Sequence, residues 1–165
     1  MLNNNLTVTK DVQNKEITLE RIVNGSRALV WKGWTEPEHI ARWWGPEGWT
    51  AQIEKMDVRP GGIWHYSMQP VDGSEKVWGL ISYQEVVKPS HLKYMEAASN
   101  AAGDIDESKQ SEVTVEFAEV DQATTKIIIK TKFKSLADLE TMERMGMAAG
   151  YNGALNKLEK YIENN

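Results

Sequence analysis

The stretch TTKIIIKTKFKSLADLETMERMGMAAGYNGALNKLEKYI, residues 124–162, decides the fold, because its hydrophobic period changes partway along. Over 124–133 β-branched residues alternate with lysines, the period-two signature of a strand with one buried face. From Ser135 the period becomes helical, and Met147, Tyr151, Ala154, Leu155, Leu158 and Ile162 fall on one stripe. The pattern predicts one long helix over 136–162. A second stripe of small residues, Gly146, Ala149, Gly150 and Gly153, occupies its first half. Each glycine in a helix interior costs about 1 kcal/mol relative to alanine. Such a cluster needs a reason: close approach to a sheet, or room for a ligand.

Working outward, Ile17, Leu19, Arg21 and Val23 alternate with Thr18, Glu20 and Ile22 in a strand that starts at Lys15. Further strands are predicted at 50–58, 63–69, 76–87, 91–97 and 111–120. Arg59-Pro60-Gly61-Gly62 suits a type II turn between two of them, and Asp72-Gly73 marks a hairpin. Two short helices follow the first strand. Ser26 caps one, running through Ala28, Leu29, Val30 and Trp31. Thr35 with Glu38 forms a capping box for the other, Pro37 lies in its first turn, and Gly45-Pro46 ends it. Residues 98–110 read as a mobile acidic loop, and 1–14 as a loose polar tail ahead of a single domain, 15–165. The predicted class is α+β: a curved antiparallel sheet of six or seven strands wrapped around one long C-terminal helix, a helix-grip architecture.

The 165 residues carry 19 basic and 24 acidic side chains, interspersed, for a net charge of −5. Without a basic stripe, nucleic acid and anionic membranes are poor partners. No stretch approaches the roughly 20 apolar residues of a membrane span, and the first residues do not read as a secretory signal. There is no cysteine, which removes disulfides, thiolate nucleophiles and cysteine-ligated metals and suits a cytoplasmic protein. His39, His65 and His91 lack any two-histidine metal spacing, and no nucleophile elbow, phosphate loop or dinucleotide fingerprint is present. Asp57 and Arg59 read as a local pair bracing a turn. No metal, no cofactor and no catalytic residue is expected.

Seven tryptophans carry more information. Each can bury 150–250 Å², and large rigid rings fill a solid core awkwardly but line a cavity easily. Trp31, Trp34 and Trp44 read as core residues packing helices. Trp64, Tyr66, Met68 and Trp78 divide evenly between core and pocket. On the pocket reading they face Met142, Gly146 and Ala149 of the C-terminal helix, while Trp43, Trp44 and Trp49 seal or gate one end. Alternatively, Trp43, Trp44 and Trp49 form an exposed loop that docks a protein.

The combination of ITLERIVNGSRALVWKGWTEPEHIARWWGPEGW, MDVRPGGIWHYSM, VDG, WGLISYQEV and GYNGALNKLEKYI resembles the activator of heat-shock protein 90 ATPase homologue-like family. The likeness covers roughly residues 15–163. That family belongs to the START-related superfamily of helix-grip (START/Bet v-like, SRPBCC) domains. The resemblance implies an apolar cavity between sheet and helix. Two departures stand out. The eukaryotic chaperone activators carry an additional N-terminal domain where this chain has a short tail, and Asp121-Gln122-Ala123 replaces a Gly-Gly turn. The expected function is a non-catalytic binding module for a small hydrophobic or aromatic molecule, with a place in stress response, acting as a monomer or weak dimer. A chaperone-associated interaction domain is the alternative. A cyclase-like enzyme is a third reading and lacks a defined acid–base pair.

Overall fold

The two alternating segments at opposite ends of the chain meet along their full length. In the computed structural model, which describes residues 5–164, Glu16–Asn24 (β2) pairs antiparallel with Thr124–Lys132 (β8), from Glu16 opposite Lys132 to Asn24 opposite Thr124. Between them run Arg27–Thr35 (α1), Pro37–Ile40 (α2), Trp49–Met56 (β3), Ile63–Pro70 (β4), Val77–Val87 (β5), His91–Ser99 (β6) and Ser111–Asp121 (β7). Thr7–Asp11 (β1) precedes β2, and Leu136–Arg144 (α3) and Met147–Glu163 (α4) follow β8. One eight-stranded sheet results, in the order β1-β2-β8-β7-β6-β5-β4-β3, antiparallel throughout. Bulges at Ile53/Lys55, Tyr83/Glu85 and Glu119/Asp121 bend its strands. The concave face holds the core, with Trp31 and Trp34 of α1 edge-on to Phe117 of β7 at 5.6 and 5.3 Å between ring centroids.

Several turn signals act as expected. Gly61 adopts φ +85° and Gly62 N–H donates to the Arg59 carbonyl at 2.8 Å, closing the type II turn. Beside it Arg59 Nε donates to Asp57 Oδ2 at 2.6 Å. The Ser26 hydroxyl accepts from Leu29 N–H and caps α1.

Four expectations are corrected. The eighth strand is β1: the sequence reads it as part of a tail because Thr7–Lys10 are exposed and bury no face, yet they pair with the outer edge of β2. Residues 1–4 of that tail lie outside the described residues. Thr35 does not cap α2. It closes α1, its hydroxyl donating to the Trp31 carbonyl at 2.8 Å, and Glu36 is the extended residue between the helices. Pro37 explains the position, since the residue before a proline is pushed out of helical geometry. Residues 98–110 are built rather than loose: the Asn100 side chain accepts from Ala102 and Asp104 N–H and donates to the Asp104 carboxylate, and Ile105 bridges to Ser99. Lastly, the helix over 136–162 is two helices. Gly146 takes the left-handed conformation, φ +84° and ψ +34°, which breaks the helix between α3 and α4.

Within the small-residue stripe, Gly153 has a steric cause. A Cβ on Gly153 would lie 2.9 Å from Glu47 Cγ and 3.0 Å from Glu47 N, and one on Gly150 would lie 3.8 Å from Pro46. At Gly153 close approach is the reason, and the approaching element is the loop 45–48 rather than the sheet. Lys157 fixes the same contact, its ammonium donating to the carbonyls of Pro46 at 3.1 Å and Trp49 at 3.2 Å. On the other side of α4, Arg21 of β2, 4% exposed, donates to the Asn152 carbonyl and side chain and pairs with Glu159 at 3.2 Å.

Gly153→Ala should therefore destabilise the fold by about 1–3 kcal/mol, because the Glu47 backbone has to move. Gly150→Ala, with ordinary contact space, should be neutral or stabilising by up to about 1 kcal/mol; urea denaturation of the two variants distinguishes them. On the outer face, His91 of β6 lies between Glu116 of β7 at 2.6 Å and Glu85 of β5 at 2.9 Å. Burial opposes its charge, but hydrogen bonds to both carboxylates outweigh that and raise its pKa. The folded state thus holds the imidazolium more tightly than the unfolded chain, a contribution that is full below about pH 6.5 and lost as pH rises through the raised value. His91→Gln should cost more stability at pH 5.5 than at pH 9, as read by denaturant midpoints.

Candidate functional site

The concave face of β3 to β6 is the part of the molecule where chemistry-bearing side chains converge. Residues paired directly across strands point to the same side. Trp64 of β4 pairs with Ile81 of β5, which pairs with Glu96 of β6, so all three line the concave face. Tyr83 pairs with Tyr94 in the next row. Tyr66 faces Gly79, where a Cβ would lie 2.5 Å from the tyrosine hydroxyl. The missing side chain therefore lets the Tyr66 ring lie across β5, towards Glu96 on β6.

Trp44, in the loop after α2, closes over this face. Its ring sits 4.8 Å from Trp64, 5.8 Å from Tyr66 and 6.3 Å from Tyr151 of α4, and Trp64 and Tyr66 are 4.7 Å apart. These rings are in contact, so the inner part of the cluster is packed. Its polar atoms are not satisfied: among the described residues, the buried Trp44 Nε1, Trp64 Nε1 and Tyr94 hydroxyl have no hydrogen-bond partner, nor does Trp34 Nε1 deeper in the core. The Tyr66 hydroxyl faces the Trp44 indole and the Tyr151 hydroxyl faces that of Tyr94, but neither pair meets hydrogen-bond geometry.

Glu96 is the residue that sequence reasoning missed. It is half-buried, and burial pushes its carboxyl up to about 7. Burial also raises the phenols of Tyr66, Tyr94 and Tyr151, and the nearby Glu96 charge raises them further, so all three stay protonated. The signal was available: Leu92, Tyr94 and Glu96 share one parity in β6, and the first two are core residues. A lone acid at the end of such a series marks an inward-facing charge. The site can donate hydrogen bonds from indoles and phenols, and offers one carboxyl that is half ionised near neutral pH.

The expected site residues fall into three groups. Trp44, Trp64 and Tyr66 come together as described. Trp43 is fully buried, its indole N–H donating to the Gly33 carbonyl at 2.9 Å, while Trp49 and Met68 pack around Gly45 at the end of the sheet. The remaining four do not join them. Trp78 has the opposite parity, lies on the outer face and stacks on His65 at 5.2 Å, because both faces of β5 are apolar at this end. Met142, Gly146 and Ala149 are exposed, and a Cβ on Gly146 would meet nothing within 4 Å. The helix break turns them away; Met147, Ala148 and Tyr151 pack against the core in their place.

Other clusters carry less. Glu36, Glu38 and His39 bring ligand-type atoms within 4.8 Å of one another on the surface at α2, away from the aromatic cluster, and the His39 Nδ1 bonds the Tyr161 hydroxyl. Two open grooves, one bordered by Gln13, Met95 and Phe133 and one by Ala28, Trp31 and Pro89, lie outside the aromatic cluster. No helix is long and apolar enough among the described residues to cross a membrane.

Comparison with known proteins agrees with this architecture. A solution structure of a protein from Arthrobacter aurescens is 26% identical, with a TM-score of 0.87 over 96% of this chain and 92% of that one. A crystal structure from Mycobacterium smegmatis is 23% identical, with a TM-score of 0.85 over 94% and 96%. The AHSA1 protein from Silicibacter pomeroyi is 18% identical, with a TM-score of 0.73 over 90% and 98%. The last two show the shared fold alone. No curated protein matches the chain. The model of the family described as activator of Hsp90 ATPase homolog 1-like protein matches residues 24–163, and the chain, a helix-grip domain from β2 to α4, belongs to that family.

Proposed function

We propose that this protein is a non-catalytic binding module that takes a small hydrophobic or aromatic molecule between the concave face and α4. One observation carries the reading: three buried donors, Trp44 Nε1, Trp64 Nε1 and the Tyr94 hydroxyl, have no partner in an otherwise aromatic wall. A buried donor left unmade costs about 1–3 kcal/mol, and a ligand oxygen supplies the missing acceptor. The molecule enters where the wall is half-buried, at Glu96 and Tyr151, and its apolar part displaces or slides beside the rings of Trp44 and Tyr66. Trp49 and Met68 at the other end pack around Gly45 and close the sheet there.

The family description favours a second reading, a domain that contacts a chaperone. Native mass spectrometry of freshly purified protein separates the two, since a retained small molecule supports the module and a co-purified chaperone without one supports the second. With a panel of apolar and aromatic compounds, a ligand should quench tryptophan emission and raise Tm. Saturation at a hundred times Kd adds about 2.7 kcal/mol to stability. Tyr94→Phe and Trp64→Phe should weaken binding several-fold while leaving the circular dichroism unchanged. No retained molecule and no response anywhere in the panel would overturn the binding-module reading.

A further inference from the structure

We propose that Glu96 makes this site selective for an organic cation, its carboxylate pairing with an amine or quaternary ammonium group while the apolar part rests on Trp44, Trp64, Tyr66 and Tyr151. The inference rests on the preceding reading that the concave face holds a small molecule, and adds the chemical class of that molecule.

The geometry points to a missing countercharge. Glu96 faces inward in the row with Trp64 and Ile81, and among the described residues no lysine, arginine or histidine forms an ion pair with it and no hydrogen bond reaches it. Arg21, the buried charged side chain under α4, shows how this fold pairs a charge there: it has Glu159, the Asn152 carbonyl and the Asn152 side chain. Removing an ion from water without a partner is costly, and the carboxyl responds to burial alone, with no cation pulling its pKa down. The groups facing it are the phenols of Tyr66 on β4, Tyr94 on β6 and Tyr151 on α4, with Tyr83 on β5 beside them. All are held neutral, and among the described residues no cation on a neighbouring element pairs with the carboxyl.

Aromatic faces add to the selectivity. Ring quadrupoles present negative potential to a cation over the face, and the attraction grows when the site is desolvated. An anion would meet both the carboxylate and the ring faces as repulsion. A neutral molecule would bury the carboxylate further and leave it unpaired. A cation is attracted by both the carboxylate and the ring faces.

The test compares benzyltrimethylammonium with its uncharged carbon isostere, neopentylbenzene, by tryptophan emission on the full chain at pH 6 and pH 8. The quaternary probe keeps its charge throughout, so any pH dependence belongs to the protein. Cation binding needs the ionised carboxyl, which predominates at pH 8; the cation should bind roughly tenfold more weakly at pH 6, and the neutral probe should not. Glu96→Gln should remove both the preference for the cation and its pH dependence. Neopentylbenzene binding as tightly as the cation at pH 8, or a preference that survives Glu96→Gln, overturns the proposal and leaves the apolar module standing. If neither probe binds, the cation proposal falls, and the compound panel and the native mass spectrum decide the binding-module reading. Should the variant fail to fold, the native chain decides alone, and pH-independent cation binding refutes the role of Glu96.

Discussion

Everything in this fold depends on how α4 is seated. A curved sheet exposes its inner face, and a single helix laid across it has to bury that face while satisfying whatever charge lies beneath. Two fastenings do this from opposite sides. Arg21 rises from β2 into Asn152 and Glu159, an arrangement whose disruption from one side costs about 3–5 kcal/mol, because it strands a buried charge. On the other side Gly153 admits the backbone of Glu47, and Lys157 reaches the carbonyls of Pro46 and Trp49. The loop 45–48 is thereby held between helix and sheet, and it positions Trp44.

That seating separates the roles of the tryptophans over residues 40–66, Trp43, Trp44, Trp49 and Trp64. They have different jobs. Trp43 is a core residue with its indole bonded to Gly33, and Trp34 packs on it at 4.7 Å. Trp44 bridges the α1–α2 layer to Trp64 and Tyr66 on the sheet and Tyr151 on the helix. Such edge-to-face contacts contribute about 0.5–1.5 kcal/mol each beyond burial. The segment therefore passes from core packing at Trp43 to the aromatic cluster at Trp44 and Trp64. The unsatisfied indoles of Trp44 and Trp64 mark where that change occurs.

The site is polar in a specific way. Phenols and indoles donate, the rings present negative faces, and the one carboxyl stands where water still reaches it. Glu96 belongs to the same strand as His91, yet the two behave oppositely for one reason. His91, on the outer face, has Glu85 and Glu116 as partners and gains charge readily. Glu96, on the inner face, has none and resists it. Side-chain alternation alone puts these two titrating groups into different environments five residues apart.

Local regularities were legible in the sequence because they act between near neighbours. Alternation in 16–24 and 124–132, the Pro60-Gly61 turn and the Ser26 cap depend on pleat, ring geometry and left-handed freedom, and each holds in the structure. The neighbouring of Trp64 and Tyr66 was legible for the same reason, since period two puts them on one face, whereas the place of Trp44 over both came from the tertiary structure. Glu96 was legible in parity but reads as solvent-facing in isolation. Other features were settled only by tertiary structure. Trp78 sits in VWGLISY, apolar on both parities, so only pairing with Ser67 and Ser99 decides its face. Gly146 fits a helix interior or a left-handed break equally well, and the structure takes the break, ending α3 at Arg144 and starting α4 at Met147. Glycines at 150 and 153 announced a close neighbour, but which element approached was fixed by contacts about a hundred residues away in sequence, between Glu47 and Gly153. Period and chirality are properties of a few adjacent residues; which surfaces meet is a property of the whole chain.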